Sequence, residues 1–182
     1  MLTPHDTPVL IVTGPPGVGK TTAVGMLVER WPKAVHLEAD RFFGFIRSGH
    51  VEPWKPESHA QNEAVMNVVA GAAGGYAKAG YFTVVDGIVI PTWFFEPLRD
   101  ALKKAGHSVA YAVLRAPPSL CAERLAARED IPLAEPDVIE RLWASFTALG
   151  PLERHAIDVD GMSPEQVAEA LAGRLADGSL AV

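Results

Sequence analysis

The first apolar run of the chain, 9–13, is continuous and β-branched, and Pro8 and Gly14 bound it. A run without polar alternation predicts a strand covered on both faces. A helix is predicted over 21–31, stopped by Pro32, and a second short strand over 34–38. Residues 39–58 show no period and contain Pro53, Pro56 and two glycines. So long a connection in a compact domain is usually a functional segment. Ala60, Ala64, Val65, Val68, Val69 and Ala72 then recur at helical spacing, predicting a helix over 59–78 that Gly71, Gly74 and Gly75 weaken late. A third strand is predicted over 81–90, a helix over 93–105 closed by Gly106, and a fourth strand over 109–114.

The last third reads as mostly helical. Pro117 and Pro118 launch a helix over 119–129. Another, over 137–149, follows Pro136, with Asp137 and Glu140 as a capping pair and Ile139, Leu142, Trp143, Phe146 and Leu149 as its apolar face. A fifth strand over 156–159 precedes a final helix to about 176. Its start carries a cap (Ser163), a first-turn proline (Pro164) and a partner three residues on (Gln166). Strands alternating with helices imply right-handed crossovers. The predicted fold class is α/β: a three-layer α/β/α sandwich with a five-stranded parallel sheet, one domain over 1–182. Ligands of such sheets lie beyond the carboxyl ends of the strands. Thr13, residues 38–40, Asp86, Gly87 and Arg115 fall at those ends and are expected to converge on one crevice.

The segment Gly14, Pro15, Pro16, Gly17, Val18, Gly19, Lys20, Thr21 fits G-x-x-x-x-G-K-S/T at every fixed position, between a buried strand and a helix. Phosphate oxygens need backbone N–H groups close by, and glycines at 14, 17 and 19 allow that path. The helix that follows turns its positive end toward the anion. Lys20 is expected at the β- and γ-phosphates, the Thr21 hydroxyl at Mg²⁺, and Thr22 completes the binding loop. The expected ligands are therefore ATP and Mg²⁺.

Composition removes other classes. The formal charge is −6 and no basic run stands out, which argues against nucleic acid as a partner. Cys121 is the single cysteine, so neither an intrachain disulfide nor a cysteine-rich zinc site is open to this chain. The six histidines lack the helical spacing of a metal pair. The apolar run after the polar start is too short for a signal peptide, and no segment approaches membrane-spanning length. A cytoplasmic protein with no membrane partner is expected. The sequence leaves its oligomeric state open.

Phosphate loops serve GTPases, motor ATPases and small-molecule kinases. No N-K-x-D guanine motif is present. The third strand ends in Asp86, a metal-side carboxylate paired with Thr21, but Gly87 stands where motors usually place a water-polarising glutamate. The length leaves little room for a motor's extra helical domain. What remains is an enzyme that moves the γ-phosphoryl group to a hydroxyl of a small molecule, an antibiotic or a sugar-like compound being the kinds in view. Two other readings stand beside it: a nucleoside or nucleotide kinase, and a nucleotide-dependent binding switch with weak hydrolysis.

A transferase needs a carboxylate for the acceptor hydroxyl and cations over the transferring group. Asp40, directly after the second strand, is the candidate base, with Glu38 as the alternative; a helix cap is the non-catalytic reading of Asp40. Arg124 and Arg128, four apart on one predicted helix, are the candidate cations, set against a reading as surface partners of Glu123 and Glu129. Proline-punctuated residues after them suggest a lid over about 124–137. The acceptor pocket is placed in 42–62, with Arg47, Trp54 and Gln61 as candidates and Trp93 and Phe94 as further walls. The adenine site is placed at 158–164.

Taken together, the phosphate loop, Glu38-Ala39-Asp40-Arg41-Phe42, Val84-Val85-Asp86-Gly87 and the stretch from Cys121 to Arg128 resemble the small P-loop kinases that include chloramphenicol phosphotransferase, the tunicamycin-resistance protein, the zeta toxins and gluconate kinase. The stretch from Gly87 to Phe94 is most similar to the tunicamycin-resistance branch. The resemblance implies that Asp40 is the base and that Arg124 and Arg128 contact nucleotide phosphates. Acceptor pockets diverge within the group, so it does not name the acceptor.

Overall fold

The computed structural model describes residues 7–127 and 136–182. Five strands, β1 (Val9–Thr13), β2 (Ala34–Glu38), β3 (Phe82–Asp86), β4 (Val109–Arg115) and β5 (Ala156–Asp158), form one sheet in the order β2-β3-β1-β4-β5. All four strand pairings are parallel. The helices are α1 (Lys20–Val28), α2 (Ala39–Phe43), α3 (His59–Lys78), α4 (Glu96–Lys104), α5 (Pro118–Ala126), α6 (Pro136–Ala144) and α7 (Pro164–Ala176).

The central strand shows why its apolar run is unbroken. Val9 and Ile11 of β1 enter a core shared with Val65 and Val69 of α3 and Leu98 and Leu102 of α4. Leu10 and Val12 enter a second core, with Val24 and Leu27 of α1 and Leu171 and Leu175 of α7. Successive strand residues point to opposite faces, so a strand between two helix layers must be apolar at every position. The three-layer α/β/α architecture expected from the sequence is the one observed.

Several boundaries differ from the reading of the sequence. β3 stops at Asp86 rather than at 90, because the chain turns away once β1 and β2 no longer flank it; Gly87 N–H still donates to the Val12 carbonyl. A single wide helical turn, Pro91–Phe95, precedes α4, with the N–H groups of Trp93, Phe94 and Phe95 all reaching the Ile90 carbonyl. Residues 39–58 are not wholly irregular: α2 follows β2 directly. The helix expected over 137–149 ends at Ala144, and turns carry Phe146 and Leu149 into the core. Asp137, expected as a cap, pairs with Arg141 one turn on. The cap at Ser163 is as expected, a reciprocal capping box with Gln166.

The sheet also has a feature beyond the expected five strands. β5 is short and pairs only with Val113 to Arg115. The rest of the β4 edge is covered by the C-terminal residues, antiparallel, through Tyr111 N–H to the Leu180 carbonyl (2.9 Å) and Val182 N–H to the Val109 carbonyl (3.1 Å). This tail satisfies backbone groups that a short edge strand would leave open. Among the described residues no helix is long and apolar enough to cross a membrane.

Candidate active site

The phosphate loop leaves the carboxyl end of β1 and wraps the start of α1. Gly17 sits at φ +81°, and a Cβ there would lie 2.3 Å from the Cys121 carbonyl oxygen of α5. A Cβ on Gly14 would lie 2.3 Å from the Leu114 carbonyl oxygen of β4. These glycines therefore serve close packing against the scaffold as well as approach by a ligand. Lys20 opens α1 and is buried; its ammonium donates to the carbonyls of Gly14 (2.9 Å) and Pro15 (3.1 Å), spanning the loop.

Thr21 in the first turn of α1 meets Asp86 at the end of β3. The Thr21 hydroxyl donates to Asp86 Oδ2 at 2.6 Å, and His36 Nε2 lies 3.2 Å from the same oxygen. Asp86 is buried, and its other oxygen, Oδ1, has no hydrogen-bond partner among the described residues. A buried carboxylate oxygen without a partner is costly unless something else takes it up. The described residues contain no cluster of three His, Cys, Asp or Glu side chains that would hold a metal alone. The donor set thus fits a hard cation that takes one carboxylate and a hydroxyl from the protein and the rest from phosphate and water, as Mg²⁺ does.

Asp40 stands in the first turn of α2, open to solvent on the wall of a cavity of about 390 Å³. Lys20 and Thr21 line the same cavity. Although the side chain reaches solvent, the protein packed around the cavity displaces much of its hydration and pushes the Asp40 pKa above the ordinary carboxylate value; Lys20 opposes this, and Asp86 and Glu38 reinforce it. Glu38, the alternative base, is tied to Arg41 at 2.8 Å. Gly87 has a reason of its own to be glycine: a Cβ there would meet the Ala39 Cβ at 2.8 Å, at the start of the helix that carries Asp40.

A second cavity, of about 240 Å³, lies on the other side of the loop and is lined by Thr22, Arg124, Met162, Pro164 and Val167. Gly17 and Gly19 border both cavities. Arg124 donates to the Val18 carbonyl (3.0 Å), so the structure sets it on this side of the loop and not on the wall that carries Asp40. Met162 and Pro164 fall in the stretch expected to hold adenine. Arg128, and much of the expected lid, lie outside the described residues.

Other expectations are placed differently. Arg115 does not join the crevice; it pairs with Glu153 (2.6 Å) and Asp158 (3.3 Å). Thr13 is a buttress whose hydroxyl accepts the Val89 N–H. Arg47 is exposed and lines neither cavity. Gln61 is a latch rather than an acceptor ligand, its amide bonding both the N–H (2.8 Å) and the C=O (2.6 Å) of Val51. Trp54, Trp93 and Phe94 do line the Asp40 cavity. The sequence reading missed Trp143, whose indole N–H donates to the Pro16 carbonyl (3.2 Å) and ties α6 to the loop. A tryptophan on an apolar helical face gives no sign of such a bond.

A phosphate loop on the central strand of a parallel sheet, with an aspartate closing the neighbouring strand, defines the P-loop proteins of kinase type. The match to a family model described as an AAA domain covers residues 9–149, and the chain belongs to that family. Solved structures share the fold. The tunicamycin resistance protein of Deinococcus radiodurans is 24% identical with a TM-score of 0.70, over 93% of this chain and 95% of that one. A sugar kinase from Janibacter sp. is 23% identical with a TM-score of 0.67, over 93% and 95%. Shikimate kinase from Acinetobacter baumannii, in complex with shikimate, is 21% identical with a TM-score of 0.67, over 97% of each. No curated protein sequence matches the chain significantly. The resemblance to small P-loop kinases is borne out.

Proposed function

We propose that this protein transfers the γ-phosphoryl group of ATP to a hydroxyl group of a small molecule. The observation that carries this reading is the meeting of Asp40, Lys20 and Thr21 on one cavity wall, with the second cavity behind the same loop. A donor on the loop and an acceptor in the larger cavity would then face each other across Gly17 and Gly19.

In this scheme the nucleotide's base occupies the second cavity between Arg124 and Met162, and its phosphates lie along the loop. Lys20 exchanges its loop carbonyls for phosphate oxygens. Thr21 and Asp86 would hold Mg²⁺, which would supply charge neutralisation on the phosphate oxygens. Asp40 orients the acceptor hydroxyl and takes its proton. The acceptor oxygen forms the new O–P bond as the bond from the γ-phosphorus to the β,γ-bridging oxygen breaks, and ADP leaves. A carboxylate with a raised pKa holds that proton better than an ordinary one. Arg124 acts as a nucleotide clamp, and Arg128 as a second cation over the phosphates. The purified protein, given ATP labelled at the γ-position and a panel of alcohols, should pass label into an alcohol; label found only in inorganic phosphate would refute the reading.

A further inference from the structure

Resting on that reading, we infer the class of acceptor: a neutral or cationic alcohol with an aromatic or other apolar body, not an anionic sugar acid or a phosphorylated alcohol. The larger cavity is walled by Phe43, Trp54, Met66, Val89, Trp93 and Phe94. Trp93 and Phe94 stack with ring centroids 4.3 Å apart. Its volume, about 390 Å³, is that of a small-molecule site.

The charge on this wall is one-sided. Apart from Lys20, which belongs to the phosphate loop, the charged side chains that line it among the described residues are Asp40 and Glu52, with His50 beside them. No arginine lines it among those residues. A carboxylate or phosphate on the acceptor would lose its hydration, would find no lysine or arginine among the described lining residues but Lys20, which serves the phosphate loop, and would face two carboxylates. An ammonium group would instead meet Glu52.

The wall is also built rather than incidental. Gln61 holds both backbone groups of Val51, and the Pro53 carbonyl accepts from Asn62 Nδ2 (2.8 Å) and Ser58 Oγ (2.8 Å). The backbone on either side of Glu52 is thereby fixed, in a segment whose sequence shows no period. A wall on a held backbone discriminates by both shape and charge.

Three matched probes test the assignment: naphthylethanediol, naphthylethanolamine and naphthylglycolate, which share a ring and a benzylic hydroxyl and differ in charge. Calorimetric titration into the full chain with saturating ADP and Mg²⁺ should show the diol and the amino-alcohol binding at least tenfold tighter than the hydroxy acid. Glu52→Gln should abolish the amino-alcohol's advantage over the diol, and Trp93→Ala should weaken both by tenfold or more while ADP affinity holds. Equal or tighter binding of naphthylglycolate, or binding of none of the three, would overturn the assignment. Transfer from ATP is scored separately. Probe selectivity without any phosphorylated product would sink the kinase reading and leave the acceptor class standing. Preferred phosphorylation of gluconate or shikimate would do the reverse.

Discussion

Asp40 carries two opposed consequences. Its folded pKa is raised above the ordinary 3.8, chiefly by enclosure, so its contribution to stability is full below that value and is lost as pH rises through the folded value. Wherever it is ionised, the carboxylate therefore weakens the fold, and that is the form the proposed base requires. Asp40→Asn should lower turnover by about 10²–10⁴, leave ATP affinity unchanged, and raise the melting temperature at pH 7. The acid limb of the wild-type kcat/KM profile should have its midpoint above 3.8. A variant that loses activity and stability together would point to a structural role. Gly87 gives a second residue-scale test. Gly87→Ala should push on Ala39 and displace Asp40, cutting turnover, and the double variant Ala39→Gly/Gly87→Ala should recover most of the loss. Absence of recovery would mean the contact with Ala39 is not what requires glycine. From sequence, Gly87 was legible only as the place where a motor's glutamate is missing. Its contact is with a residue far away in the chain, which no local pattern reports.

At the scale of elements, strand and helix identities were legible because two-sided burial and helical spacing leave direct marks on a sequence. β1, β2 and α3 fall at the expected limits. The misplaced ends are where tertiary contact overrides pattern. The five apolar residues assigned to one helical face in 137–149 are shared out: Ile139 and Leu142 line the Asp40 cavity, Trp143 bonds the loop, and Phe146 and Leu149 fill the core from turns. Periodicity sees apolar spacing and not destination. Trp143→Phe keeps an aromatic ring and removes the N–H together with the pyrrole half of the indole. It should cost about 0.5–1.5 kcal/mol in placing the loop, read as a several-fold rise in the ATP dissociation constant with the melting temperature nearly unchanged. Unchanged ATP affinity would show that α6 does not steady the loop.

For the whole molecule, the fold and the donor half of the site were readable from sequence because the phosphate loop is contiguous. The proposed acceptor half was not. Its wall is assembled from α2, the segment before α3, α3 itself, the turn after β3 and α6, so its charge balance exists only after folding. Global stability should carry a signature of one further buried group. His155 is fully buried against Tyr111, and burial first, then Arg154 and Arg174, lowers its pKa below the ordinary 6.5. A depressed pKa contributes stability that is present above 6.5 and lost as pH falls through the folded value. Urea unfolding across that range should show falling stability on acidification, and His155→Phe should flatten the slope.

The central claim is that the loop and Asp40 form one phosphoryl-transfer site. The most direct measurement is ³¹P NMR of ATP, Mg²⁺ and a bound alcohol with the wild-type chain and with Asp40→Asn. A phosphate monoester should appear with the wild type and not with the variant, while both bind ATP. Monoester formation by Asp40→Asn at the wild-type rate, or inorganic phosphate as the sole product of the wild type, would contradict it.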